Sequence, residues 1–131
     1  MIVYVDTSAA MKLLVEEAES AALAGYLEDA RHGQDTLVAS LLLHTELHFA
    51  ANRRQEHIEH EAVAKVLSVI GLIDVESGDL TTAPLLPGRL RSADAIHLAT
   101  ALRVDARTMV AYDEELCSAA KTAGINVLSP A

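Results

Sequence analysis

The chain has 131 residues, 51% of them hydrophobic, and its 19 acidic and 10 basic residues give a formal net charge of −9. That balance argues against indiscriminate nucleic-acid binding, which relies on phosphate neutralisation by Lys and Arg. It suits a protein that gathers divalent cations or meets a basic partner. One Phe, three Tyr and no Trp leave no set of stacking residues for an RNA-recognition sheet or a single-strand-binding barrel. Cys117 is the single cysteine, so no intrachain disulfide can form and a reducing cytoplasm is the expected location. The first apolar run meets Asp6 too soon for a signal peptide, and uncharged runs such as Thr36 to Leu43 are far short of a membrane span. One domain over residues 1–131, soluble and with no membrane contact, is expected.

Taken in chain order, Ile2-Val3-Tyr4-Val5 reads as a buried strand that ends on Asp6. Helical signals follow from about Ser8 to Val15 and from about Glu17 to Ala30. The second places Ala18, Ala21, Ala22, Gly25, Tyr26 and Asp29 on one small-residue face, and His32-Gly33-Gln34 stops it. Thr36 to Ala39 is a second strand, and Ser40 caps a helix from Leu41 to about Arg54. Another helix is predicted from about Glu56 to Gly71, then a third strand over Leu72 to Val75. Ser77 to Leu86 reads as a short helix broken by Pro84 and Pro87. Ser92 to Arg103 is a clear helix and Thr108 to Ala111 a fourth strand. Glu114 to Ala123 forms a helix closed by Gly124, and Asn126 to Leu128 a last strand.

Strands alternating with helices, with no hairpin signal between them, predict an α/β fold. Its centre is a parallel sheet of about five short strands covered by helices, the first strand lying between the second and fourth. In open parallel sheets, ligands gather beyond the carboxyl ends of the strands. Asp6 directly follows the first strand and Asp113 lies just beyond the fourth. Glu46 is less than two helical turns past the second, and Asp94 opens the helix from Ser92. Each has an ordinary structural explanation: a cap for Asp6, Asp94 or Asp113, a solvated helix face for Glu46. Together, four carboxylates at one edge repel one another, and a cation must compensate. A ligand set of oxygens alone points to Mg²⁺, with Mn²⁺ as a substitute, rather than zinc.

Val5-Asp6-Thr7-Ser8-Ala9, Glu46-Leu47, Leu90-Arg91-Ser92-Ala93-Asp94-Ala95-Ile96-His97-Leu98-Ala99-Thr100-Ala101 and Tyr112-Asp113-Glu114-Glu115-Leu116 resemble the PIN-domain nucleases. Within these the match is nearest to the VapC-type toxins of type II toxin–antitoxin pairs. It runs the whole chain, through Gly124-Ile125-Asn126-Val127 to Pro130. The resemblance implies a PIN-like three-layer sandwich and a Mg²⁺-dependent endoribonuclease held inactive by a cognate antitoxin, in a homodimer. Asp6, Glu46, Asp94 and Asp113 would be its catalytic, metal-binding acids. In one respect the chain departs from the family, which often has Thr or Ser where this sequence has Ala111.

The chemistry fits the residue types independently. Phosphodiester hydrolysis needs an activated water and a counter-charge for the departing oxygen, and metal ions provide both. Thr7, Ser8 and Ser92 are candidate phosphate donors, and Arg91 a candidate contact to RNA phosphate or to an acidic group of a partner. Glu115 reads as a solvated helix face, Glu56-His57-Ile58-Glu59-His60-Glu61 as an exposed helix turn without zinc-hydrolase spacing, His44 and His97 as core-edge residues, and Cys117 as a small buried one. A haloacid-dehalogenase-type phosphotransferase would need Asp where Ser8 stands, and a receiver domain would need an acceptor Asp where Ser40 stands. The alternative with weight is a catalytically weak PIN-like protein acting mainly as a partner-binding module.

Overall fold

The computed structural model describes residues 1–53 and 57–131. Strands β1 (Ile2–Val5), β2 (Thr36–Ser40), β3 (Gly71–Ile73), β4 (Thr108–Val110) and β5 (Asn126–Leu128) form one sheet in the order β3-β2-β1-β4-β5. Every pairing is parallel, and Val3 stands opposite Leu37 on one side and Thr108 on the other. The first strand is therefore central, between the second and fourth, as its unbroken apolar run predicts for a strand buried on both faces. Val3, Tyr4 and Val5 are all buried.

Helices α1 (Thr7–Leu14), α2 (Ser20–His32), α3 (Leu42–Arg53), α4 (His60–Leu67), α5 (Ser77–Thr82), α6 (Ser92–Arg103) and α7 (Glu114–Thr122) flank the sheet. A 3₁₀ turn at Ala83–Leu85 follows α5, where Pro84 removes a backbone donor. The core is aliphatic: Leu23, Leu43, Leu47, Leu98 and Leu116 are fully buried, each contributing about 1.5–3 kcal/mol of transfer free energy. In α2 the packed face is Leu23, Leu27 and Ala30, while the small residues Ala21 and Gly25 look into solvent. Gly124 (φ 94°) takes the left-handed conformation that ends α7; after α2 that conformation falls on Gln34 (φ 71°), not on Gly33.

Two sequence expectations are corrected. The helix predicted from Glu56 begins only at His60, because Glu59 is extended (φ −75°, ψ 137°); Glu56 itself, like Arg54, the predicted end of the preceding helix, lies outside the described residues. The third strand lies over Gly71–Ile73 rather than Leu72 to Val75, since Leu72 pairs with Ala39 and Ile73 with Ser40. Among the described residues, no helix is long and apolar enough to cross a membrane.

Candidate metal centre at the carboxyl edge of the sheet

Asp6 leaves β1 and is 1% exposed. Its backbone N–H donates to Val110 O of β4 at 3.0 Å, so the sheet itself fixes its position. Oδ2 caps α1, accepting from the Ser8 N–H (3.0 Å) and the Ser8 hydroxyl (2.7 Å). Oδ1 is buried and has no hydrogen-bond partner among the described residues. An orphaned polar atom of this kind costs about 1–3 kcal/mol, and more when it belongs to a charged group.

The other acids arrive from three further elements. Asp113, beyond β4, caps α7 by accepting from the Leu116 N–H at 2.9 Å. Asp94 lies in the first turn of α6 and makes no capping hydrogen bond. Glu46 projects from α3, where Leu43 and Leu47 on the adjoining face are buried. Asp6, Glu46, Asp94 and Asp113 line one pocket of about 270 Å³ together with Thr7, Ser8 and Arg91. Among the described residues, no three His, Cys, Asp or Glu side chains are close enough as they stand to hold a metal ion. The acids share the walls of a pocket rather than a single point.

Burial, and then the charges of Asp6 and Asp113, push the Asp94 carboxyl above the usual range; Arg91 and His97 offset only part of this. Arg91, its side chain 85% exposed, places Nε 3.8 Å from Asp94 Oδ2 and Nη2 3.9 Å from Asp113 Oδ2. It is the cation standing nearest those two acids. The pocket is thus charge-frustrated in this state, with a surface arginine as partial relief.

Glu46 is held differently. Thr7 Oγ1 donates to its Oε1 at 2.8 Å, and His97 Nε2 lies 2.5 Å from the same oxygen and 3.1 Å from Thr7 Oγ1. Burial pushes the Glu46 carboxyl up, but the His97 hydrogen bond and charge, with the Thr7 hydroxyl, outweigh it and hold the group below its ordinary value. Burial pulls the His97 imidazole down; its bond to Glu46, with Asp6 and Asp94 nearby, holds it above an ordinary histidine. His97 Nδ1 lies 2.6 Å from the Tyr4 hydroxyl, which also accepts the Ser40 N–H at 2.9 Å. This polar line runs from the sheet interior to the pocket wall.

A family profile described as PIN domain matches residues 3–122. The chain belongs to the PIN-domain family. Within that family it groups with the VapC type. It is 40% identical over 131 residues to ribonuclease VapC46 of Mycobacterium tuberculosis, covering 98% of this chain and 97% of the relative. It is 34% identical over 137 residues to ribonuclease VapC35 of the same species, again covering 98% and 97%. In fold, this PIN domain is similar to a chain of VapBC2 from Rickettsia felis bound to a promoter DNA fragment (TM-score 0.80, 14% identity, all of both chains covered). It is also similar to VapC20 of Mycobacterium tuberculosis, a sarcin–ricin loop cleaving toxin (TM-score 0.71, 18% identity, 98% of this chain and 99% of the other).

Several residues of this PIN domain stand elsewhere than the sequence places them. His97 is fully buried and bonded at both ring nitrogens, whereas His44 is exposed. The signal for His97 was its spacing: three residues after Asp94 on α6, it lies on the same helical face. Ser92 faces a neighbouring apolar pocket with Leu80, Leu86 and Leu90, not the acid pocket. Ser8 is engaged on both sides, donating to Asp6 and accepting the Tyr112 N–H at 2.9 Å. Ala111 is fully buried and Asp113 is oriented by its cap, so that acid does not rely on a hydroxyl from residue 111. Glu115, by contrast, is exposed on α7 and Cys117 is buried, both where the sequence places them.

Proposed function

We propose that this PIN domain is a Mg²⁺-dependent endoribonuclease and the toxin of a toxin–antitoxin pair, with Asp6, Glu46, Asp94 and Asp113 as its metal-binding acids. The orphaned Oδ1 of Asp6 carries the proposal. It is a buried carboxylate oxygen without a partner among the described residues, on a residue that the sheet fixes and that lines a pocket with three more acids. All four candidate ligands are hard oxygens, which fits Mg²⁺ or Mn²⁺. A divalent cation held there would lower the pKa of a bound water and neutralise charge on the departing oxygen.

The chain's own residues do the positioning. Ser8 keeps Oδ2 of Asp6 on the helix cap, which leaves Oδ1 as the oxygen free to take a cation. Thr7 and His97 pin Oε1 of Glu46 and leave its other oxygen available. Asp94 and Asp113 keep their Oδ2 atoms toward Arg91 and would turn inward as Arg91 releases them. Arg91, exposed at the pocket rim, is placed to take an RNA phosphate. The VapC kinship supports an antitoxin partner that covers this rim with a basic side chain, and a homodimer as the resting assembly.

The test is cleavage of RNA by the purified protein, with analysis of the ends released. Cleavage should require Mg²⁺ or Mn²⁺, stop in EDTA and leave 5′-phosphate and 3′-hydroxyl ends. Cyclic 2′,3′-phosphate ends, or equal activity in EDTA, would overturn the metal-nuclease reading. Absence of any cleavage, with tight binding of a partner protein, would favour the binding-module alternative.

A further inference from the structure

We propose that Phe49 and Arg53 form a stacking subsite for one RNA base, beside the phosphate held at the acids; the inference rests on the ribonuclease reading above. Glu46, Phe49 and Arg53 follow the i, i+3, i+7 spacing that lines up one stripe of α3. A neighbouring stripe, Leu43 and Leu47, is buried in the core. Phe49 is the chain's one Phe, and its side chain is 54% exposed although burial would stabilise the fold. Of the other aromatics, Tyr4 is fully buried, and Tyr26 and Tyr112 are partly buried against the core. The guanidinium of Arg53 lies 5.7 Å from the Phe49 ring centroid. An aromatic face and a planar cation side by side match the two ways proteins hold an unpaired base.

Continuity argues for RNA as the occupant. Phe49 and Arg53 line an open groove of about 490 Å³ whose other walls include Thr7 and Glu46. Thr7 and Glu46 are also walls of the acid pocket, so the two spaces meet there. A strand with its phosphate at the acids therefore reaches Phe49 with an adjoining nucleotide. The chain carries a net charge of −9, and this polyanion path is flanked by Arg91 at one end and Arg53 at the other. Because every base has a π-face, such a platform orients a nucleotide without reading much sequence.

Two measurements test this. The first uses the absence of Trp: Phe49→Trp introduces a single indole into the chain. With Ca²⁺ replacing Mg²⁺, short mixed-sequence single-stranded RNA should quench that indole to saturation, and inorganic polyphosphate should not. In the second, Phe49→Ala should lower kcat/KM on RNA by about 5- to 150-fold, the loss of one stacked base, while Phe49→Tyr stays near wild type. Abasic substitution at one position beside the cleaved bond should harm wild type by a similar factor and leave Phe49→Ala unmoved. A merely structural ring would not show that coupling.

Unchanged kinetics for Phe49→Ala without indole quenching would overturn the subsite and leave the nuclease reading standing. RNA that quenches the indole but is never cleaved by wild type would keep the subsite and remove the nuclease. Loss of protein-partner binding by Phe49→Ala, with RNA cleavage intact, would assign the ring to a protein interface and overturn the proposal.

Discussion

Two buried carboxylates, each 1% exposed, meet opposite fates in this fold. Asp79 on α5 is saturated: Arg103 Nε reaches Oδ1 at 2.8 Å, while Arg103 Nη2 and the Glu76 N–H each reach Oδ2 at 3.0 Å. Arg103 also reaches Glu76 (2.8 Å) and the carbonyl of Asp74 (3.0 Å), closing the loop before α5. Asp6 has two donors on Oδ2 and none on Oδ1. Burial alone thus does not mark a functional acid. A structural carboxylate has both its oxygens hydrogen-bonded, and one held for a ligand keeps an oxygen open. The neighbours agree, since Asp79 has a guanidinium in front of it and Asp6 has other acids.

Neutralising a pocket acid is the strongest way to test that contrast. Asp94→Asn should cut RNA turnover by about 100- to 1,000-fold, the scale of losing one preorganised charge contact. Melting in EDTA should be unchanged or higher, because one of several repelling charges is gone. A lower melting temperature with turnover retained would make Asp94 a structural acid after all. Asp79→Ala should do the reverse. It should cost about 1.5–3 kcal/mol in urea unfolding, the worth of hydrogen bonds to a charged group, with cleavage per folded molecule intact.

Acid titration sharpens the same point. The Arg103 hydrogen bonds hold the Asp79 carboxyl below its ordinary value, against the opposing effect of burial. A depressed folded pKa adds stability that is fully present above the unfolded value, about 3.9, and is lost as pH falls through the folded one. The wild-type acid-unfolding limb should therefore be steeper below about pH 4 than that of Asp79→Asn. Parallel limbs would show that the ion pair contributes nothing to the pH dependence. The smallest effect is expected for Thr7→Val, which removes the 2.8 Å hydroxyl contact to Glu46. Stability should fall by about 0.5–1.5 kcal/mol, and kcat should drop less than for any acid variant.

What could be read from the sequence divides along the same line. The central place of β1 was legible because four consecutive apolar residues, two of them Val, match a strand covered on both faces. The positions of Asp6 and Asp113 beyond the sheet followed from where the first and fourth strands stop, that of Glu46 from its short distance along α3, and Asp94 had only its place in the first turn of a helix. Capping is the rival explanation the sequence offers for Asp6, and in the structure the cap occupies one oxygen and leaves the other. The Asp79–Arg103 pair, 24 residues apart, gave no local signal, because neither residue type at its position differs from an ordinary surface choice. The role of His97 was hidden for a related reason. Its partners Tyr4, Thr7 and Glu46 come from three other elements, and only the folded sheet brings them together. The late start of α4 has no local signal, because its charged run suits an exposed helix and an extended approach equally.

The tail after β5 holds on to the acid-bearing loop at two points: Ser129 Oγ donates to Ala111 O at 2.5 Å, and the Tyr112 hydroxyl to Pro130 O at 2.7 Å. Those anchors bracket the residues that lead into Asp113. A protease that clipped the chain after Leu128 would leave every proposed ligand and the whole sheet in place. It would still remove two of the bonds on the residues that lead into Asp113, leaving them the Ala111 N–H bond to Leu128 O and the Tyr112 N–H bond to Ser8 Oγ. Cleavage after Leu128 should thus lower RNA turnover more than it lowers the melting temperature, so that the sheet outlasts the order of its acid-bearing loop.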